Sequence, residues 1–163
     1  MEKNYNQLAV KMVLNEWDRQ NAFFKRIIDS LTDEQLAKQI SPGRNTGVYL
    51  LGHLVAITDS MFPLLEAGTK QYPELYEAFV EKPDGSGAPV PTIADLKSKL
   101  LAVNARMEKV FAAMTTDGWF SRHTSVSAED FEKEPHRNKL NIILNRASHM
   151  SYHLGQLALL QKQ

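Results

Sequence analysis

The chain is organised around a segment near its end, which reads Arg146-Ala147-Ser148-His149-Met150-Ser151-Tyr152-His153-Leu154-Gly155-Gln156. Apolar residues recur at helical spacing through this segment, from Leu140 to Leu160. On such a helix His149 and His153 lie one turn apart on the same face, with β-carbons about 5 to 6 Å apart. Two imidazoles at this spacing can bind one divalent metal ion through ring nitrogens about 2.0 to 2.1 Å from it.

A third histidine with a similar setting occurs earlier in the chain. His53 lies in the apolar segment Leu50-Leu51-Gly52-His53-Leu54-Val55-Ala56. A helix would draw it inward with its neighbours. Two histidines four residues apart arise easily by chance, and a histidine on an apolar face is more often a core residue than a ligand. The convergence of three inward-facing histidines from two predicted helices is what favours a metal site.

Three further segments show helical periodicity, with signals for where the helices start and stop. Asn45 or Thr46 can cap the second helix, and Gly68 can end it. Pro63 should kink that helix or break it. Thr92 can cap the third helix. The pattern predicts an all-α protein, an antiparallel four-helix bundle, with helices near residues 4–30, 46–67, 92–116 and 138–161.

The connections between these helices should carry short additional helices. The capping box Thr32-Asp33-Glu34-Gln35 opens one of them. Residues 69–91 form a long crossover, in which the apolar segment Leu75–Val80 can dock as another short helix. This crossover is either a lid over one end of the bundle or a surface connection without a function.

The segment from Asp117 to Arg137 shows no sustained period. It is expected to be held on the surface of the bundle by three aromatic residues, Trp119, Phe120 and Phe131. His123 and His136 lie in this segment among polar residues. Both are therefore expected to be solvated rather than to bind a metal.

Composition excludes several classes of function. A chain of 163 residues is expected to form one domain, spanning residues 1–163. Its 19 Lys and Arg balance 19 Asp and Glu, so no overall field draws it to nucleic acid or to an anionic membrane. It has no cysteine, which excludes disulfides, thiolate ligands and a protein-borne thiol nucleophile. With no secretory leader pattern and no run of 18 apolar residues, a cytoplasmic protein is expected.

Two motifs resemble the DinB/YfiT-like family of metal-dependent proteins. They are Thr46-Gly47-Val48-Tyr49-Leu50-Leu51-Gly52-His53-Leu54 and, about 95 residues later, His149-x-x-x-His153-Leu154-Gly155-Gln156. The resemblance covers nearly the whole chain in helix order and length, and the second motif is the more specific. The chain departs from the family pattern just before the second helix, where Arg44 and Asn45 replace the usual tryptophan.

This resemblance implies an up-down-down-up four-helix bundle, usually dimeric, that binds nickel, zinc or another divalent ion through His53, His149 and His153. Some members of the family are thiol S-transferases, and others are thiol-dependent isomerases. The resemblance therefore implies a metal-dependent transferase or hydrolase that acts on a small molecule. Because the chain has no cysteine, a low-molecular-weight thiol would enter as a cosubstrate. A homodimer is the expected assembly.

Other side chains share the predicted histidine faces. Tyr49 lies one turn before the first histidine and Gln156 lies one turn beyond the last, so both could orient ligands. Arg146 lies one turn before the histidine pair, where its cation could meet an anionic substrate. All three are equally compatible with ordinary residues on the rim of a helix.

Two other interpretations of the histidines stay open. One is a non-catalytic metal-binding homodimer with a structural or stress-related interaction role. The other is a bundle without metal, whose histidines are core residues. A structural zinc usually has four protein ligands, whereas a catalytic metal keeps a position open. The sequence offers no evident fourth ligand, and this favours a catalytic site.

Overall fold

The computed structural model describes residues 4–162, and within them the protein is all-helical. In this range the β-type pairing consists of isolated bridges, and no strand forms. The all-α class is therefore confirmed. The elements, in chain order, are α1 (Tyr5–Ser30), α2 (Asp33–Leu36), α3 (Gly47–Asp59), α4 (Met61–Leu64), α5 (Pro73–Tyr76), a π-helical turn (Glu77–Glu81), α6 (Ile93–Ala113), α7 (Thr116–Phe120), α8 (Ala128–Lys133), α9 (Lys139–Leu157) and a 3₁₀ turn (Ala158–Lys162).

The four long helices α1, α3, α6 and α9 all start at a side-chain cap. In each, an oxygen of the capping side chain accepts a hydrogen bond from the backbone N–H three residues later. The caps are Asn4, Thr46, Thr92 and Asn138. Such a cap typically contributes about 1 kcal/mol, because it satisfies a backbone donor that the helix itself cannot. Of the two candidate caps for the second predicted helix, Thr46 is the one used.

The second predicted helix is divided into two. Helix α3 ends at Asp59, and α4 begins at Met61. Pro63 explains the break, because its ring crowds the carbonyl four residues earlier and its nitrogen has no proton to donate. The chain leaves helical geometry at Glu66 and Gly68, which have φ angles of 59° and 100°. The break near Pro63 is confirmed, whereas the helix stops at Leu64, earlier than the predicted stop at Gly68.

Helix α3 occupies a central position. It packs against α6 and α9, while α1 packs mainly on α9. The side chains that α3 contributes to the core are at most 1% exposed, and include Leu50, Leu51, Leu54 and Val55. By length and composition Gly47–Leu64 could cross a membrane, but 67% of that stretch is buried inside the protein, as expected of a core helix.

Side chains of α3 hold both ends of the crossover between residues 69 and 91. The carboxylate of Asp59, which is fully buried, accepts the backbone N–H groups of Gln71 and Tyr72, each at 2.8 Å. Near the other end, the Tyr49 hydroxyl donates to the carbonyl of Lys82 at 2.8 Å. The crossover is therefore tied to the helix that carries the first histidine.

The middle of the crossover, Pro73–Glu81, lies on α3 and is called the cover from here on. The short helix predicted at Leu75–Val80 is confirmed, although its second half is a π-helical turn. The Phe79 ring packs directly on Gly52, where an added β-carbon would come within 2.5 Å of it. This close approach places the cover beside His53, which follows Gly52 in the sequence.

The segment between α6 and α9 is more structured than its sequence indicates. It forms α7 and α8, and Trp119 is 1% exposed, so its predicted role as an anchor is confirmed. The expectation that His123 is solvated is wrong, because its side chain is 8% exposed and its Nδ1 lies 3.0 Å from the Ser125 hydroxyl. The Thr124 N–H donates to the last residue of α4, which draws this loop onto the protein. His136 is exposed, as predicted.

Candidate metal centre

Three histidines meet between α3 and α9. Nε2 of His149 lies 3.3 Å from Nε2 of His53 and 3.1 Å from Nε2 of His153. One ring nitrogen from each residue lies within 4.8 Å of the other two. All three side chains are half-buried. The structure thus brings together the three histidines that the sequence singles out.

The imidazole of His53 is held by the cover. Its Nδ1 lies 2.8 Å from the carbonyl oxygen of Phe79. Because a carbonyl can only accept, this Nδ1 carries the proton and Nε2 keeps its lone pair. Phe79 lies in the last turn of the π-helical element, where carbonyls lack partners within the helix. The cover therefore fixes both the tautomer and the direction of His53, as partners of metal-binding histidines commonly do.

The imidazole of His153 is held by its own helix. Its Nδ1 lies 2.7 Å from Oε1 of Gln156, and Nε2 of that amide donates to the Tyr152 hydroxyl at 3.2 Å. The amide oxygen therefore faces the ring, so Nδ1 of His153 carries the proton and Nε2 keeps its lone pair. The Tyr152 ring also meets His153 edge-on, with centroids 5.1 Å apart.

His149 lies at the centre of the cluster and has unsatisfied polar atoms. Its buried Nδ1 has no hydrogen-bond partner among residues 4–162. Its Nε2 faces the lone pairs of both other histidines, and a neutral imidazole can donate to only one of them. The cluster therefore has more acceptors than donors. A cation between the three nitrogens would satisfy all of them.

Burial keeps the imidazoles neutral. Desolvation is the largest cause of the lowered pKa of all three histidines. It is strongest at His149, whose pKa falls to about 4, with the neighbouring histidines and Arg146 as further causes. Hydrogen bonds that the other two rings donate to the Phe79 carbonyl and the Gln156 amide oxygen partly oppose the lowering of their pKa. At neutral pH all three rings are lone-pair donors, the form that a metal requires.

The spacing of the nitrogens fits a common ion. Two ligands that lie about 2.0 to 2.1 Å from one ion at a tetrahedral angle are about 3.3 Å apart. The two short Nε2 separations around His149 are 3.3 and 3.1 Å. Together with the excess of lone pairs, this spacing shows that the donor set fits a divalent metal that accepts imidazole.

Tyr49 and Arg146 flank the cluster in different ways. The Tyr49 ring lies nearly parallel to that of His53, at 12° with centroids 6.4 Å apart. Because its hydroxyl is bonded to the crossover, Tyr49 supports the ring of His53 and does not reach the nitrogens. Arg146 is partly buried, and its charge helps to lower the pKa of both His53 and His149.

Two contacts of the cluster were not predicted from the sequence. Phe79 acts through its backbone carbonyl, which any residue type could supply, so no sequence signal identifies it. Tyr152 lies four residues before Gln156, and this spacing on one helix face could have indicated their hydrogen bond. The Phe79 carbonyl contacts the His53 ring directly, and Tyr152 contacts the amide of Gln156. Neither residue adds a nitrogen ligand to the cluster.

The metal-free protein is expected to lose stability as the pH falls from 6.5, the ordinary pKa of histidine, toward about 4, that of His149 in the folded state. Between these values the unfolded chain binds more protons than the folded one, so the free energy of unfolding falls as the pH falls. Urea denaturation at a series of pH values measures this. The His149→Ala variant should show a shallower dependence, and equal slopes for the two proteins would contradict the prediction.

Comparison with known proteins identifies one family. The family described as the DinB superfamily matches residues 16–157. The match includes α3, the cover and α9, and therefore all three histidines of the cluster. No curated protein matches the chain.

Proposed function

Because this chain belongs to the DinB superfamily and gathers three histidine nitrogens between two helices, we propose that it is a metal-dependent enzyme that acts on a small molecule. In this proposal His53, His149 and His153 hold one divalent ion. The observation that carries it is the pair of Nε2 separations around His149, 3.3 and 3.1 Å. Neutral imidazoles suit nickel and zinc, which we propose as the metal.

The number of protein ligands supports an enzyme more than a structural metal. At this cluster residues 4–162 supply three ligands, whereas a structural zinc is usually closed by four. When bound, the ion would supply a Lewis acid that lowers the pKa of a thiol or of water. Phe79 and Gln156 keep the protons of two rings on Nδ1, so that the Nε2 lone pairs stay available.

We propose thiol S-transfer as the first reaction class and hydrolysis as the second. The chain has no cysteine, so the thiol would be a separate low-molecular-weight cosubstrate. The half-buried cluster beneath the cover supports transfer over hydrolysis. Restricted access of water to the site limits the competition between water and a bound thiol for the same electrophile. The motifs of α3 and α9 resemble the DinB/YfiT-like family, and the thiol S-transferase likeness of some of its members points to the same class.

The test of this function starts from protein purified without a polyhistidine tag. We expect nickel or zinc in near-equimolar amount, and acceleration of thiol addition to an electrophile by the loaded protein but not by the stripped protein. Ester hydrolysis is the parallel assay for the second class. A protein that binds the metal and accelerates neither reaction would support the alternative, a non-catalytic metal-binding homodimer with a structural or stress-related role.

We also propose that the protein is a homodimer that uses the start of α1. Three apolar side chains form a stripe there at helical spacing, namely Tyr5, Leu8 and Met12, which are 71, 50 and 63% exposed. Large apolar side chains grouped on one helix face are typical of a surface that another protein covers. A second copy of the chain is the partner that the family resemblance implies.

Replacing Met12 by Glu is expected to shift the protein from dimer to monomer, because it places a charge in the apolar stripe of both copies. Light scattering at micromolar concentration measures the mass. Leu101→Glu is the matched control, since Leu101 is 57% exposed on α6, outside the stripe. A parent protein that is already monomeric would remove this proposal.

The remaining expectations belong to the same proposal. They are the up-down-down-up order of the four long helices, a single domain over residues 1–163 and a cytoplasmic location. The order of helices is supported by the family and by the packing of α1 on α9 and of α3 on α6.

A further inference from the structure

Arg146 is a partly buried cation without a counter-charge. Its Nε is buried, and the side chain makes no hydrogen bond or ion pair with any other residue between 4 and 162. Burial lowers the pKa of its guanidinium, and among residues 4–162 the group that opposes this is Tyr76 of the cover. A phenol is neutral at pH 7, so it does not balance the charge. A partly buried guanidinium whose Nε has no partner carries a cost, which an anionic ligand would offset.

The histidine cluster beside Arg146 also contains no negative charge. The groups that contact it within the described residues are the carbonyl of Phe79, the amide of Gln156 and the rings of Tyr49 and Tyr152. Within residues 4–162, no carboxylate contributes to the pKa shift of any of the three histidines. A divalent ion would therefore bring the site to three positive charges with no protein anion to balance them.

We propose that Arg146 binds the oxyanion of a small-molecule substrate or cosubstrate whose other end reaches the histidine cluster. This inference rests on the proposed function of the cluster. The five N–H donors of a guanidinium form a planar fork that matches a carboxylate, and they also match other oxyanions. The structure therefore assigns a substrate class, that of small molecules with a carboxylate or a related oxyanion.

The position of Arg146 supports this role. It precedes His149 by three residues and His153 by seven, which places the three side chains along one face of α9. Its charge adds to the burial that lowers the pKa of both His53 and His149. The cover borders both parts of the site, through Phe79 at the histidines and Tyr76 at the guanidinium. One ligand can therefore span from the nitrogens to Arg146 beneath the same element.

The test compares thiol probes by calorimetry on the zinc-loaded protein. Mercaptoacetate carries a carboxylate, 2-mercaptoethanesulfonate carries a sulfonate, and 2-mercaptoethanol is the neutral control. We expect the two anionic thiols to lose affinity in Arg146→Gln by about 10-fold to 100-fold, the range for hydrogen bonds to charged groups. The neutral thiol should bind both proteins alike. Arg146→Lys, which keeps the charge but not the fork, should lose less.

The zinc affinity of the same variants separates this role from a structural one. Removal of a nearby positive charge should leave zinc binding by Arg146→Gln unchanged or stronger. A loss of affinity that is the same for neutral and anionic thiols, or no loss for either, would overturn the inference while the metal site stands. Failure of the parent protein to bind zinc would overturn the proposed function and this inference together. A larger loss for the carboxylate than for the sulfonate would identify the carboxylate as the preferred oxyanion.

Discussion

Replacing His149 by Ala is expected to weaken the binding of zinc or nickel by more than about 100-fold. Loss of a residue that only supports a metal ligand costs up to about 100-fold, and the loss of a ligand itself should cost more. This histidine is the common neighbour of the other two, with its Nε2 3.3 Å from that of His53 and 3.1 Å from that of His153. Its loss leaves two nitrogens that come from different helices and share no third donor. Competition with a metallochromic chelator measures the change in affinity.

The fold should survive this substitution. The buried Nδ1 of His149 has no hydrogen-bond partner among the described residues, so the substitution removes only the Nε2 contacts with His53 and His153. The helical signal in circular dichroism should therefore be close to that of the parent. His136→Ala is the matched control, because His136 is exposed and lies outside the cluster. Equal metal affinity of the His149 and His136 variants would show that the cluster is not the metal site.

The four long helices could be predicted from the sequence because the signals for them are local. Apolar spacing sets the face of each helix, and a cap such as Thr46 or Thr92 sets its start within a residue. The histidine pair follows from the same periodicity, since two residues four apart share a helix face wherever the helix lies. The approach of His53 could be predicted because the apolar neighbours of α3 turn it inward.

What could not be predicted depends on contacts between distant parts of the chain. Phe79 meets His53 through a backbone carbonyl, and backbone groups have no residue-specific signature. The burial of His123 follows from the docking of its loop on α4, which its polar neighbours do not indicate. Asp59 has a charged side chain, yet it is fully buried because two backbone N–H groups of the crossover satisfy it.

Replacing Gly52 by Ala is expected to destabilise the protein and to weaken metal binding together. The new β-carbon would come within 2.5 Å of the Phe79 ring, which is 1% exposed and therefore cannot turn away into solvent. The cover must shift, at a cost of about 1–3 kcal/mol for overpacking. Its shift moves the Phe79 carbonyl away from His53 Nδ1, and loss of such a supporting contact typically costs about 10-fold to 100-fold in metal affinity.

Gly155→Ala is the control that separates this effect from helix propensity. Gly155 lies in α9, and an added β-carbon there would meet nothing within 4 Å. That variant should be more stable than the parent by up to about 1 kcal/mol, since alanine favours a helix over glycine, with unchanged metal affinity. Urea denaturation and chelator competition on both variants give the two readouts. If Gly52→Ala matched Gly155→Ala in both, the cover would not be what holds His53 in place.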